Sequence, residues 1–258
     1  FEFIKQNINE PFSLKSKYDF VIHAATSASK TINENSFDVM AQTIIDGTIN
    51  TLNACKNDKL KFLYISSGAV YGENSAKKKS KENDFNSINP IKGDYAYHIG
   101  KLLGENLCYS YGKKLNMDIK IARCFAFVGP YLPLDKHFAI GNFINCALSN
   151  NPITIKSKGK STRSFLYSSD LVVWLIKILC SGENLKPYNV GSPEEITVAR
   201  LASKIGDLKD LPIKIQENFD QESFYVPDTS MTMSDLDIKS FISLDSAIKK
   251  TIEWHESK

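Results

Sequence analysis

The sequence predicts an α/β protein with a doubly wound parallel sheet and a smaller lobe built from its later segments. Three observations lead there. Short apolar runs ending in small residues alternate with longer helix-like segments through about the first 130 residues. The runs are apolar on both faces, as strands covered on both sides must be. Beyond Gly129-Pro130 the rhythm loosens, and no internal repeat is found. A chain of 258 residues is long enough for one large core, or for a main domain with a lobe. The expected division is residues 1–129 with about 164–190 as the main domain, and 130–163 with 191–258 as the lobe.

The elements follow in order. "YDFVIHAA" (18–25) reads as a buried parallel strand. Residues 35–56 carry Phe37, Met40, Ala41, Ile44, Ile45, Thr48, Leu52 and Cys55 on one helical face, with Asn35 or Ser36 as cap. "LKFLYIS" (60–66) is the next strand, 94–116 the next helix, and "DIKIARCFAFVG" (118–129) a strand halted by Gly129-Pro130. Later come a helix within 131–150, a strand "PITIK", the loop-to-strand piece "KGKSTRSFLY" and the apolar helix "SDLVVWLIKILCSG". A helix starting near Thr197 and a last one near 245–256 follow.

Composition narrows the function. With 42% hydrophobic and 24% charged residues and a net charge of +3, the chain carries no nucleic-acid footprint. The basic run "AKKKSK" (76–81) reads as a solvated loop. No run of eighteen apolar residues and no signal peptide occur, so the sequence predicts neither membrane nor secretion, and a cytoplasmic location. Cys55, Cys108, Cys124, Cys146 and Cys180 form no CxxC pair and read as reduced core residues. His23, His98, His137 and His255 are scattered, so no metal is expected.

The chemistry gathers in two stretches. "SSGAVYG" (66–72) closes a strand with hydroxyls, at the carboxyl end of the sheet where such folds bind ligands. "YAYHIGK" (95–101) puts Tyr97 and Lys101 four apart, hence on one helix face, with Gly100 and Gly104 thinning one side. An ammonium beside a phenol favours the phenolate, and Ser67 could hold a substrate oxygen while Tyr97 moves its proton. Taking a proton from an alcohol is useful when a hydride leaves the same carbon, which calls for a nicotinamide cofactor.

With "YDFVIHAA", "YHIGKLLGE", "RCFAFVGP" and "KGKSTRSFLYSSDL" in this order, the chain resembles the extended short-chain dehydrogenase/reductases, specifically the NAD-dependent sugar-nucleotide epimerase/dehydratase family. The resemblance implies a Rossmann-like domain and a substrate lobe. It makes Ser67, Tyr97 and Lys101 the catalytic triad, with Tyr95 and Tyr71 as decoys. By it, Lys101 also holds the nicotinamide ribose, Ala24 and Ala25 line the cofactor, and Asn7-Ile8 occupy the positions near the adenine. Arg163 would grip the diphosphate of a nucleotide sugar, with Ser67 also touching the substrate. A homodimer is expected, through the helices at 35–56 and 94–116.

The departures are informative. The family's glycine-rich phosphate turn and its first βα units are absent, and the chain begins at Phe1 without Met, so a longer chain is expected. Ile44 and Ala126 stand where the family often has Asn. Gly68 and Ala69 replace the Asp-Glu pair of the dehydratases, which argues against dehydration. The expected function is an NAD-dependent nucleotide-sugar epimerase or 4-keto reductase, with NADP as the alternative cofactor. The competing readings are a degenerate nucleotide-binding member without turnover, and a 4,6-dehydratase.

Overall fold

The computed structural model describes residues 2–26, 37–72, 74, 76–85, 88–91, 95–135, 138–219 and 222–258. The expected cap at Asn35 or Ser36, the helix start at Asp94 and His137 lie outside these residues. The chain forms two units. The first comprises Phe1–Gly72, Phe85–Cys124 and Leu175–Tyr188, the second Glu73–Asp84, Phe125–Trp174 and Asn189–Lys258. Residues 73–84, 125–129, 164–174 and 189–190, expected with the main domain, cluster with the second unit.

The first unit is built on parallel strands β1 (Phe20–His23), β2 (Lys61–Ser67) and β3 (Asp118–Cys124), with β8 (Pro187–Val190) following in the order beyond β3. In the register of β2 against β3, Ser66 faces Arg123 and Ser67 faces Cys124. Helices α1 (Phe37–Cys55) and α2 (Ala96–Leu115) connect these strands. Helix α1 buries Met40, Ile44, Thr48 and Leu52, the expected face. Helix α2 is unusual, because its buried stripe is Gly100, Lys101, Gly104, Glu105, Cys108 and Gly112 rather than aliphatic residues. A helix with so little apolar bulk can bury its stripe only by bringing its backbone close to its neighbours. At Gly104 a Cβ would stand 2.0 Å from the Tyr64 hydroxyl oxygen, and at Gly100 3.1 Å from Ile44 Cδ1. Asn116, left-handed at φ 53°, ends the helix.

In the second unit the expected strand 118–129 is interrupted. After β3 the Phe125 amide donates to Val190 O at 2.9 Å, and a separate strand β4 (Phe127–Val128) pairs with β7 (Leu166–Tyr167). Helix α3 (Ala139–Leu148) leads to β5 (Ile153–Ser157), which pairs in parallel with β10 (Ile213–Phe219). Strand β6 (Thr162–Ser164) lies between β11 (Phe224–Tyr225) and β9 (Glu195–Thr197). Helices α4 (Ser168–Ser181), α5 (Val198–Asp207), α6 (Ser230–Leu236) and α7 (Leu244–Glu256) fall near their expected places, apart from α6, which was not expected. Thr197 caps α5, its side chain accepting from Arg200 N, and Ser243 caps α7 in the same way from Ser246 N. The core of this unit joins Ile140, Ile144, Ile153, Leu201, Ile205 and Ile248.

The run 76–81 is a loop tied to this unit. Lys77 pairs with Glu222, Lys79 Nζ donates to Pro193 O at 2.8 Å, and the Ser80 amide donates to Val226 O at 3.0 Å. Just beyond it, the buried Glu82 accepts from Asn189 N and from Thr232 Oγ1, both at 3.1 Å. Cys55, Cys108 and Cys124 are buried as expected. Cys180 is exposed, because it lies on the outer side of the last turn of α4.

Candidate active site

Strand β2 delivers Ser67 to the carboxyl edge of the sheet, where the backbone turns at once into a 3-10 turn, Gly68–Tyr71. Ser67 is the cap of that turn, with φ −144° and ψ 150°, and its Oγ accepts from the Ala69 amide at 3.1 Å. The same hydroxyl is hydrogen-bonded to the Tyr97 phenol. So a serine at a strand end and a tyrosine some thirty residues later are brought together.

Lys101 lies one helical turn beyond Tyr97 and is 3% exposed. Its Nζ donates to Ile65 O at 2.8 Å and stands 5.2 Å from the centroid of the Tyr64 ring and 5.9 Å from that of Tyr97. Burial pulls the ammonium down to about 8, against the opposing pull of Cys124, Cys108 and Glu105. The Tyr97 phenol behaves differently from the sequence expectation. Burial raises it above its ordinary value, and the Ser67 hydrogen bond offsets this only in part. The ammonium that should favour the phenolate lies over the ring, and the site is dry enough for desolvation to win.

Behind these residues lie groups that sequence reasoning did not single out. His23, at the end of β1, is buried between Thr48 Oγ1 at 3.1 Å and Thr51 Oγ1 at 3.5 Å, and its ring stacks on Tyr64. Burial, with Lys101 nearby, lowers it to about 4, so the ring is neutral. Arg123 forks onto Glu105: Nε reaches Oε1 at 3.0 Å and Nη2 reaches Oε2 at 2.7 Å. A lone arginine in a buried strand was the available signal for it.

The two decoy tyrosines and the other expected site residues stand elsewhere. Tyr71, 2% exposed, accepts from Arg123 Nη1 at 3.0 Å. Tyr95 caps α2 rather than lying within it, with its ring 5.0 Å from that of His98. Asn7 is exposed and shapes its own turn, its Oδ1 accepting from Asn9 N. Ile8 packs on α1, where a Cβ at Gly47 would lie 2.5 Å from its Cδ1. Ala24 and Ala25 are exposed just past β1. Arg163 lies in the second unit and donates to Thr162 O, Ser223 O and Ser223 Oγ at 2.7–3.0 Å. Among the described residues there is no cluster of metal-ligand type, and no helix is long and apolar enough to cross a membrane.

A parallel α/β sheet with a serine hydroxyl at one strand end, beside the phenol and buried ammonium of α2, defines a Rossmann-like protein. The chain belongs to the NAD dependent epimerase/dehydratase family, which it matches over residues 4–191. It is 33% identical over 216 residues to UDP-glucuronic acid decarboxylase 4 of Arabidopsis thaliana, covering 84% of this chain and 48% of that protein. The chain thus spans about half the length of that curated relative. Among solved structures it resembles UDP-glucuronic acid 4-epimerase of Bacillus cereus in complex with NAD, at 26% identity and a TM-score of 0.78. That match covers 93% of this chain and 73% of the other. RMD of Pseudomonas aeruginosa, complexed with NADPH, shares the fold at 24% identity and a TM-score of 0.86, covering 99% of this chain and 89% of that one.

Proposed function

We propose that the protein acts on a nucleotide sugar as an NAD-dependent epimerase or 4-keto reductase, with Ser67, Tyr97 and Lys101 as the reacting set. The observation that carries this is the Ser67–Tyr97 hydrogen bond above a buried Lys101, in a chain of this family. The fit to a dinucleotide rests on Lys101. Among the described residues its ammonium has Ile65 O as its one hydrogen-bond acceptor, so donors remain for the hydroxyls of a ribose. Ala24 and Ala25, lacking bulk at the end of β1, leave room for the cofactor, and Asn7 and Ile8 are its proposed neighbours near the adenine. When bound, the nicotinamide supplies the acceptor and donor of hydride.

The chain's own residues handle the proton. Ser67 orients the sugar hydroxyl, and Tyr97 takes its proton as a carbonyl forms, then returns one when the carbonyl is reduced. A phenol held above its ordinary value is protonated at neutral pH, which suits the return step. In the forward step Lys101 is the chain's cation for favouring the phenolate. The first unit is the proposed cofactor domain and the second the substrate lobe, where Arg163 meets the diphosphate. Exposed Ile99 and Leu103 on α2 support a homodimer, and the proposed location is the cytoplasm.

Gly68 and Ala69 occupy the start of the 3-10 turn and provide no acid or base, which disfavours 4,6-dehydration. Decarboxylation is a second reading, favoured by the likeness to a UDP-glucuronic acid decarboxylase. A carbonyl at C4 of a sugar acid lies β to the carboxylate and promotes loss of carbon dioxide. Incubating the protein with UDP-glucose or UDP-glucuronic acid and NAD or NADP, and with a 4-keto sugar nucleotide and NADH or NADPH, tests the proposal through product mass and NMR. An inverted C4 or a reduced ketone is the expected result. Binding without any turnover would favour the non-catalytic reading.

A further inference from the structure

The reacting set leaves a buried ion pair without a role. Glu105 and Arg123 are both more than nine-tenths buried, and such a pair seldom adds stability over a well-packed apolar substitute. What distinguishes this one is the set of elements it joins. Glu105 lies one turn beyond Lys101 on α2, so Tyr97, Lys101 and Glu105 form a stripe at four-residue intervals. Arg123 sits on β3, in register with Ser66 of β2. Ser66 Oγ donates to Glu105 Oε1 at 2.5 Å. Arg123 Nη1 donates to the hydroxyl of Tyr71, the last residue of the 3-10 turn that Ser67 caps.

We infer that the Glu105–Arg123 pair is the positioning device of the site, fixing together the strand end and turn that carry Ser67 and the helix that carries Tyr97 and Lys101. The inference rests on the proposed reading of those three residues as the reacting set. Each contact restrains one carrier. Ser66 fastens the residue before Ser67, Tyr71 closes the turn after it, and Glu105 fixes the helix one turn from Lys101. The planar guanidinium holds the carboxylate by its fork and sets the orientation as well as the distance. Misplacement of reacting groups by about 1 Å costs on the order of 10²-fold in rate, so bracing of this kind is felt in kcat.

Two mild substitutions leave the charge pair in place: Ser66→Ala removes the hydrogen bond to Glu105, and Tyr71→Phe the one from Arg123. Asp118→Asn is the control for stability loss, since it takes the carboxylate from the buried Lys120 at the other end of β3. With whichever nucleotide sugar the unaltered protein turns over, both mild variants should lose kcat by about 10-fold to 100-fold with KM little changed. Asp118→Asn should keep its kcat even where it melts lower. Unchanged kcat in both mild variants, or a loss matched by Asp118→Asn, overturns the inference.

A second readout needs no turnover. In protein labelled with 15N-lysine, the Lys101 side chain is assigned by its disappearance in Lys101→Met and titrated by NMR. Glu105→Gln removes an anion that favours the charged form, so the Lys101 midpoint should fall. If Glu105→Gln does not fold, Glu105→Asp, which keeps the charge but draws it back from the stripe, should lower the midpoint in the same direction and by less. Should the unaltered protein turn over no nucleotide sugar, the proposed reaction fails, and this titration alone decides the positioning role. A midpoint that does not move overturns it.

Discussion

Gly104→Ala adds one methyl group at the closest approach in the first unit. The new Cβ would lie 2.0 Å from the Tyr64 hydroxyl oxygen and 2.6 Å from its Cζ. Ordinary non-bonded contact needs about 3.5 Å or more, so about 1.5 Å of separation must be found. Tyr64 is 1% exposed and cannot swing out, and its ring lies between His23 and the Lys101 ammonium. Overpacking of this kind costs about 1–3 kcal/mol. The better helix propensity of alanine returns about 1 kcal/mol. A net loss of up to roughly 2 kcal/mol is expected, or about 2–4 °C in Tm for each kcal/mol in a chain of this size. Thermal and urea denaturation followed by circular dichroism measure it. Tyr64→Phe in the same background should recover part of the loss, because it removes the oxygen but leaves Cζ too close, and the two changes should be non-additive. A Gly104→Ala protein as stable as the parent, or more so, would show that α2 does not rest on Tyr64.

Three further outcomes are expected. Tyr97→Phe should fold normally and lose turnover by about 10²–10⁴-fold, while Tyr95→Phe at the cap of α2 stays active; the reverse pattern would place the proton chemistry elsewhere. His23 is held at about 4 in the fold against 6.5 when free, so the unfolded chain binds more protons between those values. Its contribution is therefore present above pH 6.5 and lost as the pH falls towards 4. That loss is about 3 kcal/mol at 1.36 kcal/mol per pH unit, readable as a urea midpoint that drops less steeply with acid in His23→Asn. Arg163→Ala should weaken nucleotide-sugar binding by about 1.5–3 kcal/mol, the range for hydrogen bonds to charged groups, and unchanged calorimetric affinity would remove it from the site.

The parts of this molecule that were legible in its sequence are those written in short-range spacing. Tyr97 and Lys101 are four apart on one helix, and Ser67 ends an apolar run, so strand, turn and helix could be assigned from local pattern alone. The Glu105–Arg123 pair was not legible, because its partners are 18 residues apart and meet only when β3 is laid beside β2 beneath α2. Strands β4, β7 and β11 are two residues long, too short for any periodicity to appear. The raised Tyr97 phenol was not legible for a different reason. Spacing gives the proximity of two groups but not the loss of water around them, and here the loss of water decides the sign.

The cap formed by Ser67 also sets a direction. Its oxygen receives the Ala69 amide proton, and its hydrogen bond with Tyr97 lowers the phenol, the sense in which the serine donates. Amide to serine to phenol is then a relay polarised by the backbone, in which the serine gives and the phenol receives. Such a relay needs one atom that accepts and donates together. Threonine at 67 would preserve it, whereas asparagine would divide acceptance and donation between an oxygen and a nitrogen about two ångströms apart. The hydroxyl at this strand end is therefore replaceable by another hydroxyl and by little else.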